Sequence, residues 1–141
     1  MTISHPVLSR LLFTLLEGID FLISNFDMMR GGEIFFPKIP SLNISFLASA
    51  IAPELEQTII GFRPGEKLHE IMCPADDSHL TIEFEDYFVI KPSITFFEKD
   101  FDYSVSNDGE QGKSVEQSFE YSSGTNDVFL DVDAIKDKYN L

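Results

Sequence analysis

The chain is expected to fold as an α/β protein, because helix-period and strand-period segments alternate along its 141 residues. Three stretches carry that expectation. Val7 to Phe26 is an apolar run whose few polar residues recur at helical spacing. Thr58 to Phe62 reads as a short strand that enters the tight turn Arg63-Pro64-Gly65. Leu80 to Phe84 and Tyr87 to Ile90 alternate around Glu85-Asp86, the pattern of a β-hairpin.

Taken in order, Pro6 suits the first turn of a helix, with Ser4 as its N-cap. Arg10, Thr14, Glu17 and Ser24 form one polar stripe, and Leu and Ile residues fill most of the remaining circumference. A helix so apolar is expected to be buried on more than one side. Gly31-Gly32 ends it and releases Glu33-Ile-Phe-Phe36 as a strand closed by Pro37 and Pro40. Ser41 or Asn43 caps a helix over Ile44 to Ile51, stopped before Pro53. The spacing of Leu68, Ile71 and Met72 predicts a further helix over Glu66 to Met72. Asp76-Asp77-Ser78 is a polar break ahead of the hairpin. From Ser93 onward eleven acids face four Lys, and residues 100–118 are expected to form a flexible loop. Phe119 to Ser123 recovers order, and Asp131 caps a terminal helix that runs to about Lys138.

Composition narrows the functions available. A net charge of −14, from ten cations and 24 acids, leaves no basic surface for nucleic acid. A small phosphate group remains possible, since one or two cations and a few backbone N–H groups suffice to hold it. Cys73 is the single cysteine, so there is no intrachain disulfide, which fits a cytoplasmic protein. Arg10, Glu17 and Asp20 interrupt the first apolar run, which therefore reads as a soluble helix and not a membrane span. His5, His69 and His79 lack metal-ligand spacing.

No Gly-x-Gly-x-x-Gly, Gly-x-x-Gly-x-x-Gly or Walker loop occurs, so no dinucleotide or triphosphate cradle is visible. Tyr87-Phe-Val-Ile-Lys91 matches a Tyr-x-x-x-Lys pair, but that pair needs a helix to bring its side chains together. Here the β-branched run implies a strand, which would separate them by roughly 13 Å. Lys91 also precedes Pro92, which disfavours helix. The segment Ile59 to Glu70 is more informative. Pro64 pushes Arg63 into extended backbone and Gly65 permits close approach, so Arg63 and a helix start could seat a diphosphate. An ordinary strand-turn-helix link with Arg63 in a surface ion pair fits the spacing equally well.

Gly32-Glu-Ile-Phe-Phe-Pro-Lys-Ile-Pro-Ser41, followed by Ile60-Gly-Phe-Arg-Pro-Gly-Glu-Lys-Leu-His-Glu70, resembles the inverting UDP-N-acetylglucosamine 4,6-dehydratases. These are CapD-like polysaccharide biosynthesis proteins of the extended short-chain dehydrogenase/reductase superfamily. Asp77-Ser-His-Leu80, Phe84-Glu-Asp-Tyr-Phe88 and Phe119-Glu-Tyr-Ser-Ser123 extend the resemblance along nearly the whole chain. It implies the C-terminal substrate-binding portion of an NAD(P)-binding Rossmann-type fold, without the glycine-loop half. Residues 1–36 would be the last helix and strand of the Rossmann region, and 37–141 the substrate-binding α/β domain.

The resemblance also implies roles. Full-length members use NADP to move hydride from sugar C4 to C6 with loss of water and inversion at C5. Their glycine loop and catalytic tyrosine and lysine precede the segment matched here, so no catalytic, cofactor or metal residue is expected in this chain. Arg63 matches the arginine on the UDP diphosphate, and Glu66 an acidic position suited to the ribose hydroxyls. Arg10 matches an arginine that follows a Met-Thr pair in relatives, where this chain reads Leu8-Ser9. Ser4 takes the place of a Thr at the mouth of the sugar site. Ser122, Ser123 and Asn126 lie in a late block expected to fold over the nucleotide. The implied function is a truncated or split dehydratase half for nucleotide-sugar, polysaccharide or flagellin-glycan biosynthesis. It would contact a UDP-N-acetylhexosamine and act beside a separate Rossmann half or as a homo-oligomer. The alternative is a non-catalytic UDP-sugar-binding or oligomerisation module.

Overall fold

The computed structural model describes residues 1–94 and 101–141. Its elements run β1 (Thr2–Ile3), β2 (Ser9–Leu11), α1 (Leu15–Phe26), β3 (Ile34–Pro37), β4 (Ser41–Asn43), α2 (Ile44–Ile51), β5 (Thr58–Ile59) and β6 (Ile71–Cys73). A 3-10 helix over Ala75–Leu80 leads to β7 (Thr81–Glu83), β8 (Tyr87–Ile90), β9 (Lys113–Ser114), β10 (Tyr121–Ser122), β11 (Phe129–Leu130) and α3 (Val132–Tyr139). The chain divides into two compact units, one of residues 1–14, 39–71 and 121–141, the other of 15–38 and 72–120.

In the first unit, β4 is the middle of a three-stranded sheet, antiparallel to β2 and parallel to β11. A second pair joins β1 to β5 in parallel, Thr2 opposite Thr58 and Ile3 opposite Ile59. Leu42, Ala50 and Ile135 form the buried centre, with Leu12, Ile44, Leu47, Leu130, Val132 and Tyr139 around them. The caps follow the sequence. Asp131 accepts a 2.9 Å hydrogen bond from the Ala134 N–H, and α3 ends at Asn140 in left-handed backbone. Asn43 occupies the N-cap of α2 in extended backbone but makes no side-chain capping bond.

The second unit is built on a four-stranded antiparallel sheet in the order β3-β8-β7-β9. Every residue of β8 is buried, as a central strand covered on both faces requires. Phe36 stacks on Phe88 at 5.0 Å on one face, while Phe84 stacks on Tyr87 at 4.7 Å on the other. The expected hairpin is present, closed by the Phe84 N–H to the Tyr87 carbonyl at 2.9 Å. Gly112 has to be glycine, since a Cβ there would lie 2.5 Å from Ile82 Cγ2. The loop expected over 100–118 begins at Asp100, which lies outside the described residues. From Phe101 on, a bridge between Val105 and Gln111 and the strand β9 occupy part of that stretch.

Two expectations are corrected. The helix expected from Pro6 begins at Leu15, and Ser9–Leu11 is a strand instead. Pro6 sits in a turn closed by the Leu8 N–H to the His5 carbonyl at 3.2 Å, and β2 then pairs with β4. The helical spacing of Arg10 and Thr14 with Glu17 and Ser24 is a weak signal in a run this apolar, and pairing with β4 overrides it. Nor is α1 buried on several sides: Leu15 is 79% exposed and Leu16 71%. Its inward contacts come from Phe21, packed on the second unit's core, and from the buried Asn25.

The second correction is the helix expected over Glu66 to Met72, which does not form; Ile71–Cys73 is strand β6. Carbonyls of this stretch are taken by distant donors instead. Ser9 N–H binds the Leu68 carbonyl at 3.0 Å, and Ser123 N–H the Glu70 carbonyl at 2.8 Å. Arg10 Nη1 reaches the Lys67 carbonyl at 3.1 Å. A helix of seven residues has few internal bonds to set against these.

Ile135 has no exposed surface, so Ile135→Ala should lower unfolding free energy by about 2–5 kcal/mol. Leu16→Ala on the open face of α1 should stay within about 0.5 kcal/mol. Urea denaturation of the two variants checks both, and an equal loss would contradict the core assignment.

Candidate functional site

The first unit gathers Ser4, Arg10, Arg63 and Glu66 around one turn. The β1–β5 pairing carries Ser4 alongside the chain that follows β5, with the Ile60 N–H on the Ile3 carbonyl at 3.0 Å. Ser4 Oγ then donates to Glu66 Oε1 at 2.9 Å, and the Arg63 N–H donates to Glu66 Oε2 at 3.0 Å. Glu66 N–H returns to the Arg63 carbonyl at 3.0 Å. Gly65, at φ +80°, gives the turn the positive backbone angle it requires. Both Glu66 oxygens therefore hold the turn in shape, each with a further lone pair left for a ligand.

The same contacts set the acid's charge. The Arg63 N–H first and the Ser4 hydroxyl second hold the Glu66 carboxyl below its ordinary value, and the Arg63 and Arg10 guanidinium charges add to this. Arg63 itself is exposed. Arg10 comes from β2 and lies across the neighbouring segment, with Nη1 on the Ser9 carbonyl at 2.6 Å and Nε 3.7 Å from Glu70 Oε1. Arg10, Arg63 and Lys67 put three of the chain's ten cations near this turn. His5 stacks on Phe62 at 4.8 Å just before it. The turn lacks the helix mouth expected to aid anion binding, so its side-chain cations would carry that work.

The late block is also in this unit, but its named side chains grip protein. Ser122 Oγ pairs with Thr125 Oγ1 at 2.9 Å. Asn126 Nδ2 donates to the Ile39 carbonyl at 2.7 Å and to Ser41 Oγ at 3.0 Å. Tyr121, whose hydroxyl burial pushes up, bonds the same Ile39 carbonyl at 2.9 Å. Sequence reasoning missed a buried network beside them. Ser9 Oγ lies 2.6 Å from His69 Nδ1 and 2.8 Å from Ser123 Oγ, and Ser123 Oγ accepts the Glu70 N–H at 2.9 Å. Ser9 and Ser123 are buried, so this serine–histidine contact joins three chain segments and presents no nucleophile. No local pattern marks it, because Ser9 and Ser123 are 114 residues apart.

In the second unit Tyr87 lies on β8 and Lys91 just beyond it, as expected of a strand pair. Burial, with the Glu110 and Asp108 charges, pushes the Tyr87 hydroxyl up to about 12, the wrong direction for a catalytic base. Burial likewise raises the Cys73 thiol. Among the described residues no group of His, Cys, Asp and Glu could hold a metal ion. None of the described helices is long and apolar enough to cross a membrane.

The fold is a mixed α/β arrangement of small sheets that a solved structure shares. The X-ray structure of Pen from Bacillus thuringiensis matches 97% of the chain at a TM-score of 0.74 and 24% identity, over 40% of its own length. Residues 1–92 match the family described as polysaccharide biosynthesis protein, and the chain belongs to that family. It is 51% identical, over 92% of its length, to the inverting UDP-N-acetylglucosamine 4,6-dehydratase of Campylobacter jejuni subsp. jejuni serotype O:2. The protein of the same name from serotype O:23/36 is 50% identical over 89% of the chain. The chain spans 39% and 38% of the length of these two relatives.

Two outcomes test this geometry. In Ser4→Ala the Glu66 carboxyl should titrate at higher pH than in the unmutated chain. A carboxyl lowered by folding stabilises the fold above its unfolded value of 4.5, and that contribution is lost as pH falls through the folded value. The variant should lose it at higher pH; NMR titration reads the midpoint, and an unmoved midpoint would sink the assignment. In Gly124→Ala a Cβ would lie 2.6 Å from the His69 ring, so the variant should lose about 1–3 kcal/mol. An unchanged urea midpoint would show that the ring has room.

Proposed function

We propose that this chain is the substrate-side part of a UDP-N-acetylglucosamine 4,6-dehydratase, a truncated or split half that contacts the UDP-sugar in the cytoplasm. One observation carries the reading: the exposed Arg63 guanidinium stands on a turn held by Ser4 and Glu66, in a chain 51% identical to a dehydratase of that name. Arg63 would grip the diphosphate with its planar fork, and a turn already hydrogen-bonded has less entropy to lose on binding. Arg10 would add charge from β2, and the lone pairs left on Glu66 would accept ribose hydroxyls. Ser4, with its hydroxyl donated to Glu66, would border the sugar. Ser122 and Asn126 would act indirectly, by keeping the late block in place.

NADP would supply the hydride step in the whole enzyme, but the residues here do not fit it. A dinucleotide cradle needs a parallel strand, a glycine loop and a helix in sequence. The parallel strands β4 and β11 run into α2 and α3 with no glycine between, and β5 enters the Arg63-Pro64-Gly65 turn with no helix directly after it. Nicotinamide chemistry therefore belongs to the rest of the enzyme, from a separate Rossmann half or a copy of the whole protein.

Calorimetry with UDP-N-acetylglucosamine tests the reading. The chain should bind it, and Arg63→Ala should weaken binding at least tenfold, the loss of about 1.5–3 kcal/mol for a charge-assisted hydrogen bond. No heat from the unmutated chain would end the proposal.

A further inference from the structure

His69 stands where the segment that carries the Arg63–Glu66 turn meets the strand that carries Arg10. It lies three residues after Glu66, and its Nδ1 is 2.6 Å from Ser9 Oγ on β2. Ser9 Oγ is in turn 2.8 Å from Ser123 Oγ, which accepts the Glu70 N–H at 2.9 Å. Ser9 is 1% exposed and Ser123 has no exposed surface, so neither hydroxyl finds water in place of a lost partner. The ring is closely held, since a Cβ on Gly124 would lie 2.6 Å from it.

The count of protons ties this ring to Arg10. Ser9 Oγ has one proton and two neighbours. With a lone pair on Nδ1, Ser9 donates to the ring and Ser123 donates to Ser9 Oγ. With a proton on Nδ1, the ring donates to Ser9, Ser9 to Ser123, and Ser123 to the Ser9 carbonyl 3.2 Å away. Either arrangement keeps both hydroxyl protons bonded. That same carbonyl receives Arg10 Nη1 at 2.6 Å, and Nη1 also reaches the Lys67 carbonyl at 3.1 Å. Neighbours on a strand project to opposite faces, so the buried serine is the fixed point from which the arginine extends. Among the described residues nothing takes Arg10 Nη2, which leaves that side of the guanidinium open to an anion.

We infer that His69 is a positioning residue: through Ser9 it sets the separation between Arg10 and the Arg63–Glu66 turn, so that two guanidinium groups reach one diphosphate together. The inference rests on the proposed function and adds to it a residue that touches no ligand. Two cations held at a set spacing have less freedom to lose on binding than two held independently. A substitute that keeps a polar atom where Nδ1 stands should therefore preserve affinity, and an apolar one should not.

Calorimetry with UDP-N-acetylglucosamine on variants of the chain tests this. His69→Leu and Arg10→Ala should each weaken binding about tenfold. If His69 acts through Arg10, the double variant should bind no more weakly than Arg10→Ala alone, whereas independent effects would multiply to about a hundredfold. His69→Asn, whose amide offers a donor or an acceptor near the place of Nδ1, should recover most of the loss. Should His69→Leu fail to fold, Ser9→Ala, which removes a single oxygen, takes its place beside Arg10→Ala. Losses that multiply overturn the inference, as does a Leu variant that binds normally or an Asn variant as weak as the Leu one. Those results, with heat from the unmutated chain intact, leave the proposed function standing. No heat from the unmutated chain ends both.

Discussion

The carbonyl oxygens between Lys67 and Glu70 face donors from β2 and from the segment after β10, and the first unit depends on that exchange. Ser9 N–H, Arg10 Nη1 and Ser123 N–H each take one of them. A helix over Glu66 to Met72 would turn the Lys67 and Leu68 carbonyls to the Ile71 and Met72 N–H groups and leave β2 without those partners, while the Glu70 carbonyl, facing Pro74, would gain none. Every buried backbone group must find a partner somewhere, so forming one set of bonds precludes the other. The non-helical course of 66–70, bent at Leu68 and His69, then fixes where Glu66 stands, and Glu66 fixes the turn that displays Arg63. The site is thus a by-product of long-range backbone pairing, held locally by a few side-chain bonds.

This explains what the sequence could and could not reveal. Local signals worked where the cause is local: the Asp131 cap of α3, the span of α2 before Pro53, and the two-residue hairpin at Glu85-Asp86 all follow from neighbours in the chain. The spacing of Leu68, Ile71 and Met72 failed for the opposite reason, since the competitors for its backbone lie some 60 residues earlier and 50 later. The same holds for Ser9–Leu11, where pairing with β4 overrode the helical spacing of the run's polar residues. The turn after Arg63 was legible because Pro64-Gly65 writes it directly into the sequence. The Ser9–His69–Ser123 network was not, because hydroxyls are common and only the fold brings these together.

Ser122 and Asn126 show a different limit. Their place in a late block suggested ligand contact, and the structure gives each a protein partner instead. A side chain that anchors a loop shapes a neighbouring site whether or not it also touches the occupant. Arg10 stands between the two cases. It clamps 67–68 through Nη1, and its charge also lowers the Glu66 carboxyl.

The apolar helix completes the physical picture. In the second unit the sheet is covered on both faces by aromatic pairs, and α1 adds to that core through Phe21 alone among its large apolar residues. Burial of the opposite arc is not needed for this unit to have a core. Large side chains kept on a surface that the core does not use require another explanation than stability, because their exposure favours association of whatever kind is offered.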